Sequence, residues 1–154
     1  MGISLFSAGS VSELITNGGM EIGDPPTGWT NQALEIWERS SNDKHTGTYS
    51  GHAVDSTPNY GSIFQAAVSS VGPTYKVSGW VRAISGTVAW WVYRTDPGYA
   101  VYAYETITPA EGWVYKENII LSSGNNIIVR VRNDSDEVAA EFYVDDVSVV
   151  GVGF

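Results

Sequence analysis

Helical periodicity is almost absent from this chain, and that constrains its fold more than any other feature. Short runs rich in β-branched and aromatic residues recur instead, separated by Gly, Pro, Asn and Ser. Such punctuation predicts strands joined by tight turns. The candidate strands are "ALEIWERS", "YSGHAVD", "SIFQAAV", "TYKVSGWVRAI", "TVAWWVYRT", "YAVYAYETI", "GWVYKENIIL", "NNIIVRVRND" and "AEFYVDDVSVV", with turn signals at Ser85–Thr87, Asp96–Gly98 and Ser122–Asn126. Nine strands in 154 residues fit one all-β domain, a two-sheet antiparallel β-sandwich. Residues 1–15, rich in Ser and Gly with isolated Ile3, Leu5 and Phe6, read as an N-terminal arm, and residues 16–154 as the sandwich.

The closing run "EFYVDDVSVVGVGF" poses a problem of charge. Phe142, Val144, Val147 and Val149 mark a strand, and neighbours on a strand point to opposite faces, so one of Asp145 and Asp146 is expected to face inward. A lone buried carboxylate is costly unless it is protonated, hydrogen-bonded or bound to a cation.

Several functions are disfavoured by composition and motif. The net charge of −9, from 17 acidic and 8 basic side chains, argues against nucleic acid and anionic membrane as partners. The absence of cysteine removes disulfides, thiolate metal sites and cysteine nucleophiles. The N-terminal run lacks the basic and apolar regions of a signal peptide, and Phe6 occupies the position where a myristoylation signal wants Ser or Thr. No glycosidase-like carboxylate pair emerges, because Asp145 and Asp146 are expected on opposite faces and Glu137 and Glu141 lie in or beside a polar turn. His45 and His52 form no metalloprotease pattern and read as loop or surface residues. "NDSDE" at 133–137 lacks the glycine and distal glutamate of a calcium loop and reads as a solvated hairpin. Its Asn133-Asp134-Ser135 also matches a glycosylation sequon. The reading is non-enzymatic.

In order along the chain, "NGGMEIG", "TGWT", "HTGTYSGHAV", "YKVSGWVRAISGT", "GWVYKENIIL", "IIVRV" and "FYVDDVSVV" resemble the carbohydrate-binding modules of the family 4, 9 and 22 group, from about Thr16 to Val150. The resemblance implies a jelly-roll topology, with a structural calcium ion where the N-terminal segment meets the last strand. It implies Glu21 and Asp145 as carboxylate ligands, with backbone carbonyls near Gly19 and Thr48. Oxygen donors of this kind suit calcium. The alternative is that Asp145 caps backbone amides of the N-terminal segment without metal.

Sugar rings stack on aromatic faces, and the chain holds 6 Trp and 9 Tyr. With Tyr75, Val77 and Val81 facing the core, Lys76, Ser78, Trp80 and Arg82 line the other surface. The same alternation places Tyr102 with Tyr104 and Arg130 with Arg132. Trp80, Arg82, Tyr102, Tyr104, Arg130 and Arg132 are therefore the candidate ligand-binding platform. Trp29, Trp37, Trp90, Trp91 and Trp113 are assigned to core or sheet-edge packing. A structural ion pair across strands is an alternative role for the two late arginines.

Two functional classes follow. One is a glycan-binding module of a glycan-degrading system, extracellular in location. The other is a virion surface protein, a head decoration or tail accessory subunit that keeps glycan affinity and joins other subunits, or copies of itself, through the N-terminal arm. The lack of signal peptide, linker and enzyme favours the second as an expectation.

Overall fold

The computed structural model describes residues 12–152. Ten strands run in the order β1 (Thr30–Gln32), β2 (Ile36–Ser40), β3 (Ser50–Asp55), β4 (Ser62–Val68), β5 (Thr74–Ser85), β6 (Val88–Arg94), β7 (Ala100–Ile107), β8 (Trp113–Leu121), β9 (Asn126–Asn133) and β10 (Ala140–Val152). They form two five-stranded antiparallel sheets, β1-β4-β9-β6-β7 and β2-β3-β10-β5-β8. This is the two-sheet sandwich expected from the alternation. Nine strands match the predicted runs, and the tenth, β1, is a three-residue polar edge segment with every residue exposed.

The core lies between the sheets and is built from alternate residues. On β5, Tyr75, Val77, Val81 and Ala83 are buried while Lys76, Trp80 and Arg82 lie on the outer side. Trp90, Phe142, Met20, Ile63, Ile107 and Ile127 are the largest fully buried groups, and the Trp90 indole donates to Asn118 Oδ1 at 2.9 Å. Gly79 of β5 makes room for that indole. A Cβ there would sit 2.8 Å from two Trp90 ring atoms and 3.2 Å from Val147. Gly79→Ala is therefore expected to cost about 1–3 kcal/mol through overpacking, read as a lower urea midpoint at unchanged slope.

Three register shifts break the alternation where the sequence alone predicts continuity: one leaves Ile84 of β5 as an extra residue, and the other two fall at predicted site residues. In β10, Asp145 pairs with Trp80 and Ser148 with Ser78, so Asp146 and Val147 together oppose Gly79. Asp146 takes a left-handed φ of 51°. In β7, Ala103 pairs with Val92 and Val101 with Tyr93, leaving Tyr102 as the extra residue. Bulges of this kind re-aim side chains.

The proposed arm residues Ile3, Leu5 and Phe6 lie outside the described residues. The last residues of that segment are tied to β10: Glu13 bridges Val150, Leu14 N–H donates to Val149 O at 2.9 Å, and Ile15 is buried in the core.

Candidate functional site

The outer face of the β1-β4-β9-β6-β7 sheet carries a cleft of about 410 Å³ lined by Gln32, Ala33, Asn59, Tyr60, Trp91, Arg130 and Arg132. Its floor comes from the sheet. β6 and β9 pair Trp91 with Arg130, and alternation sends Trp91 and Tyr93 of β6 and both arginines of β9 outward. The end of β1 and the loop before β4 supply Ala33 and Tyr60, both with left-handed backbone, at φ 68° and 52°. Such strain in non-glycine residues concentrates at functional positions.

Aromatic rings and guanidinium groups interleave here. Trp91 packs against Tyr93, centroids 4.4 Å apart, with Tyr104 and Tyr99 edge-on at 5.8 and 6.3 Å. The Arg132 guanidinium lies 4.8 Å from the Trp91 ring and 4.6 Å from Tyr60, and Arg130 lies 4.2 Å from Phe64. Arg130 donates to Tyr93 Oη, Gln32 Oε1 and Ser62 Oγ, and Arg132 donates to Tyr104 Oη at 3.1 Å. The Tyr104 hydroxyl donates in turn to Asp134, while burial and that carboxylate raise its pKa. Trp91 Nε1 and Arg132 Nε are buried with no partner. Leaving such donors unpaired is costly, and two of the five unpartnered buried side-chain atoms among the described residues belong to the cleft lining.

Of the six predicted platform residues, the cleft brings together Arg130 and Arg132, with Tyr104 at its side. Tyr102 does not join them: the β7 bulge packs it against the core, with its hydroxyl at Ser123. Trp80 and Arg82 belong to the other sheet, because β5 pairs with β10 and β8. The alternative of cross-strand ion pairs for the late arginines is also corrected, since neither joins a salt bridge among the described residues. Trp91, assigned to packing in the sequence, stands in the cleft. The missed signal was its adjacency to Trp90, because two successive strand residues cannot both face the core.

The opposite outer face is already occupied. His45 stacks on Trp80 at 3.8 Å, Tyr115 tilts against it at 5.2 Å, and Arg82 pairs with Asp43 at 2.6 Å. Asp43 also accepts from the Trp113 indole. His52 is not a loop residue: it lies on β3, nearly buried, stacked on Tyr143 and bridging Glu38 and Glu141 at 2.7 Å each.

Beside this face, residues 17–21, 45–49 and 145–147 converge. Asp145 is completely buried, yet it shares the Trp80 side of the sheet and lies beneath the loop carrying His45, which corrects the expectation of a core-facing aspartate. Its carboxylate accepts from the backbone N–H groups of His45, Thr46 and Asp146 at 2.8–3.2 Å. Burial, opposed in part by these bonds, pushes its carboxyl from the ordinary 3.8 up to about 6. The bulge turns Asp146 toward the same loop, where it meets His45 Nδ1 at 2.8 Å and Thr46 Oγ1 at 2.6 Å. The two carboxylates therefore do not serve opposite faces. Glu21 accepts from Thr48 and Tyr49 N–H at 3.0–3.2 Å, and a Cβ on Gly19 would lie 3.8 Å from both Asp146 Oδ1 and Glu21 Cγ. Asn17, Met20 and Asp146 complete the set of five non-glycine residues with positive φ among the described residues; the other two line the cleft.

No protein-family model matches the chain, and no curated protein matches it. Solved structures do. The CBM22-1 xylan-binding domain of Paenibacillus barcinonensis Xyn10C superposes with a TM-score of 0.71 at 17% identity, covering 96% of this chain and 99% of that one. A CBM4 structure gives 0.66 at 14% identity, over 90% and 99%. Tailspike protein 4 of bacteriophage CBA120, in its enzymatically active domain, gives 0.68 at 10% identity, over 91% of this chain and 21% of that one. The fold of this chain is therefore the β-sandwich jelly roll of the carbohydrate-binding modules.

Proposed function

We propose that the protein is a non-catalytic glycan-binding module whose ligand lies in the cleft on the β6 and β9 outer face. The single observation that carries this reading is the cleft itself, where Trp91 and Tyr60 offer ring surface and two arginines and Gln32 offer hydrogen bonds. Saccharides need this pairing of stacking surface and polar donors. The lining has no carboxylate, whereas canonical glycoside hydrolysis uses two across the scissile bond. A glycan array probed with the wild-type chain and with Trp91→Ala tests it: signals present in the first and lost in the second support the reading, and an array with no signal for the wild type rejects it.

A calcium ion at the meeting of residues 17–21, 45–49 and 145–147 belongs to the same proposal. Asp145 and Glu21 would hold it, together with backbone carbonyls near Gly19 and Thr48. No three Asp, Glu or His side chains form a ligand set among the described residues, so those carbonyls are needed. The fit rests on Asp145, a fully buried carboxylate pushed up to about 6, and on an all-oxygen donor set. Bound there, the ion would supply the positive charge that lets Asp145 stay ionised.

A second reading, a virion surface protein, is favoured by the likeness to the phage tailspike domain. Deleting residues 2–12, which include Ile3, Leu5 and Phe6, is then expected to leave a folded sandwich that no longer oligomerises or joins a particle. Light scattering checks this, and an unchanged assembly state of the truncated chain counts against the virion role.

A further inference from the structure

The glycan reading leaves the charge of the cleft unexplained. Acidic residues outnumber basic ones by 17 to 8, yet the lining holds two guanidinium groups and no carboxylate. Of the six other basic residues, Arg82, Lys76 and Lys116 each have a carboxylate within 4 Å, while Arg39, Lys44 and Arg94 make no salt bridge among the described residues and stand outside the cleft. Arg130 has only neutral partners, Tyr93, Gln32 and Ser62. Arg132 meets the nearby Asp134 only through the Tyr104 hydroxyl. These contacts aim both forks without neutralising them. Nη2 of Arg130 and Nη1 of Arg132 make no hydrogen bond among the described residues, and Arg132 Nε is buried without a partner.

A guanidinium so held presents its remaining Nη donors in fixed positions, and charge-assisted bonds from these to a carboxylate are stronger than bonds to neutral hydroxyls. The surrounding rings lower the local dielectric and strengthen the attraction further. An overall negative protein would repel an anionic polymer from most of its surface, so a local pair of cations in one cleft confines such a ligand to one place.

Resting on the glycan reading above, we infer that the saccharide bound in this cleft carries a carboxylate, as in a uronic or sialic acid residue, which Arg130 and Arg132 receive while Trp91 and Tyr60 stack on the sugar ring. The discriminating feature is an uncompensated pair of arginines in an otherwise acid-rich chain.

The experiment is calorimetric titration of the full chain with oligogalacturonate, oligoglucuronate and a sialyl oligosaccharide, each beside its carboxyl-reduced counterpart, and with neutral and sulfated oligosaccharides. At least one acidic form is expected to bind roughly tenfold or more tightly than its reduced counterpart. That preference should weaken as salt is raised. Whichever acid binds names the source of the carboxylate. In Arg130→Gln and Arg132→Gln, with folding checked by circular dichroism, the ratio of acidic to reduced affinity should collapse toward one; the wild-type ratio decides the matter even if a variant fails to fold. Equal affinity for acidic and reduced forms, or binding confined to neutral or sulfated sugars, overturns the inference while the glycan reading stands. Absence of binding to every saccharide overturns both.

Discussion

Replacing Trp91 with alanine is expected to abolish glycan binding while the sandwich stays folded, with a melting temperature within a few degrees of wild type. Trp91 lies on the outer side of β6, outside the buried core, and its neighbours are Tyr93, Tyr104, Tyr99 and the Arg132 guanidinium. Removing it takes the ring surface from the cleft and frees Arg132 to move. Central aromatic anchors contribute about 2 kcal/mol or more to binding, so the loss should reach roughly thirtyfold or beyond. Trp80→Ala is expected to do the reverse. His45 already covers the Trp80 ring, so that change should lower stability and spare affinity. Binding titrations and thermal melts on both variants separate the two faces.

The second large effect concerns Asp145 and depends on calcium. Its folded-state pKa, about 6, lies above the ordinary 3.8, so between these values the folded chain keeps a proton that the unfolded chain has released. Without metal, stability therefore falls as pH rises from about 4 to about 6, by on the order of 3 kcal/mol, and stays low above that window. A bound cation favours the ionised carboxylate and opposes that fall. In chelator at neutral pH, Asp145→Asn should be close to wild type in stability, because it keeps one oxygen for the His45 and Thr46 amides and buries no charge, while its NH2 loses the bond from Asp146 N–H. In calcium the two should separate, with wild type the more stable by several kcal/mol. Equal melting temperatures in chelator and in excess calcium remove the ion from the account. Equal melting temperatures at pH 4 and pH 7 in chelator would show that burial does not perturb Asp145.

Much of the sandwich was legible because the signal for a strand is local. The inward set of β5, Tyr75, Val77 and Val81, followed from alternation alone, whereas β1 offered three polar residues and no apolar side to read. The errors at the sites have a different origin. Alternation fixes which residues share a side of one strand, but not which strands share a sheet, so Trp80 and Arg82 were grouped with Arg130 and Arg132 across the two layers. Bulges change the count by one residue, and both Tyr102 and the Asp145-Asp146 pair sit at such points. Trp91 was readable in principle, since Trp90 fills the core and its neighbour must then face out.

The most direct test of the cleft is an amide and indole nitrogen–proton correlation spectrum, in which the 6 tryptophan side chains give separate reporters. During titration with a saccharide identified on the array, the indole signal of Trp91 should shift, with the backbone amides of Arg130, Arg132 and Tyr60. The indoles of Trp80 and Trp113, on the opposite sheet, should stay in place. Shifts at Trp80 and Trp113 with Trp91 unmoved would put the ligand on the other face and contradict the account.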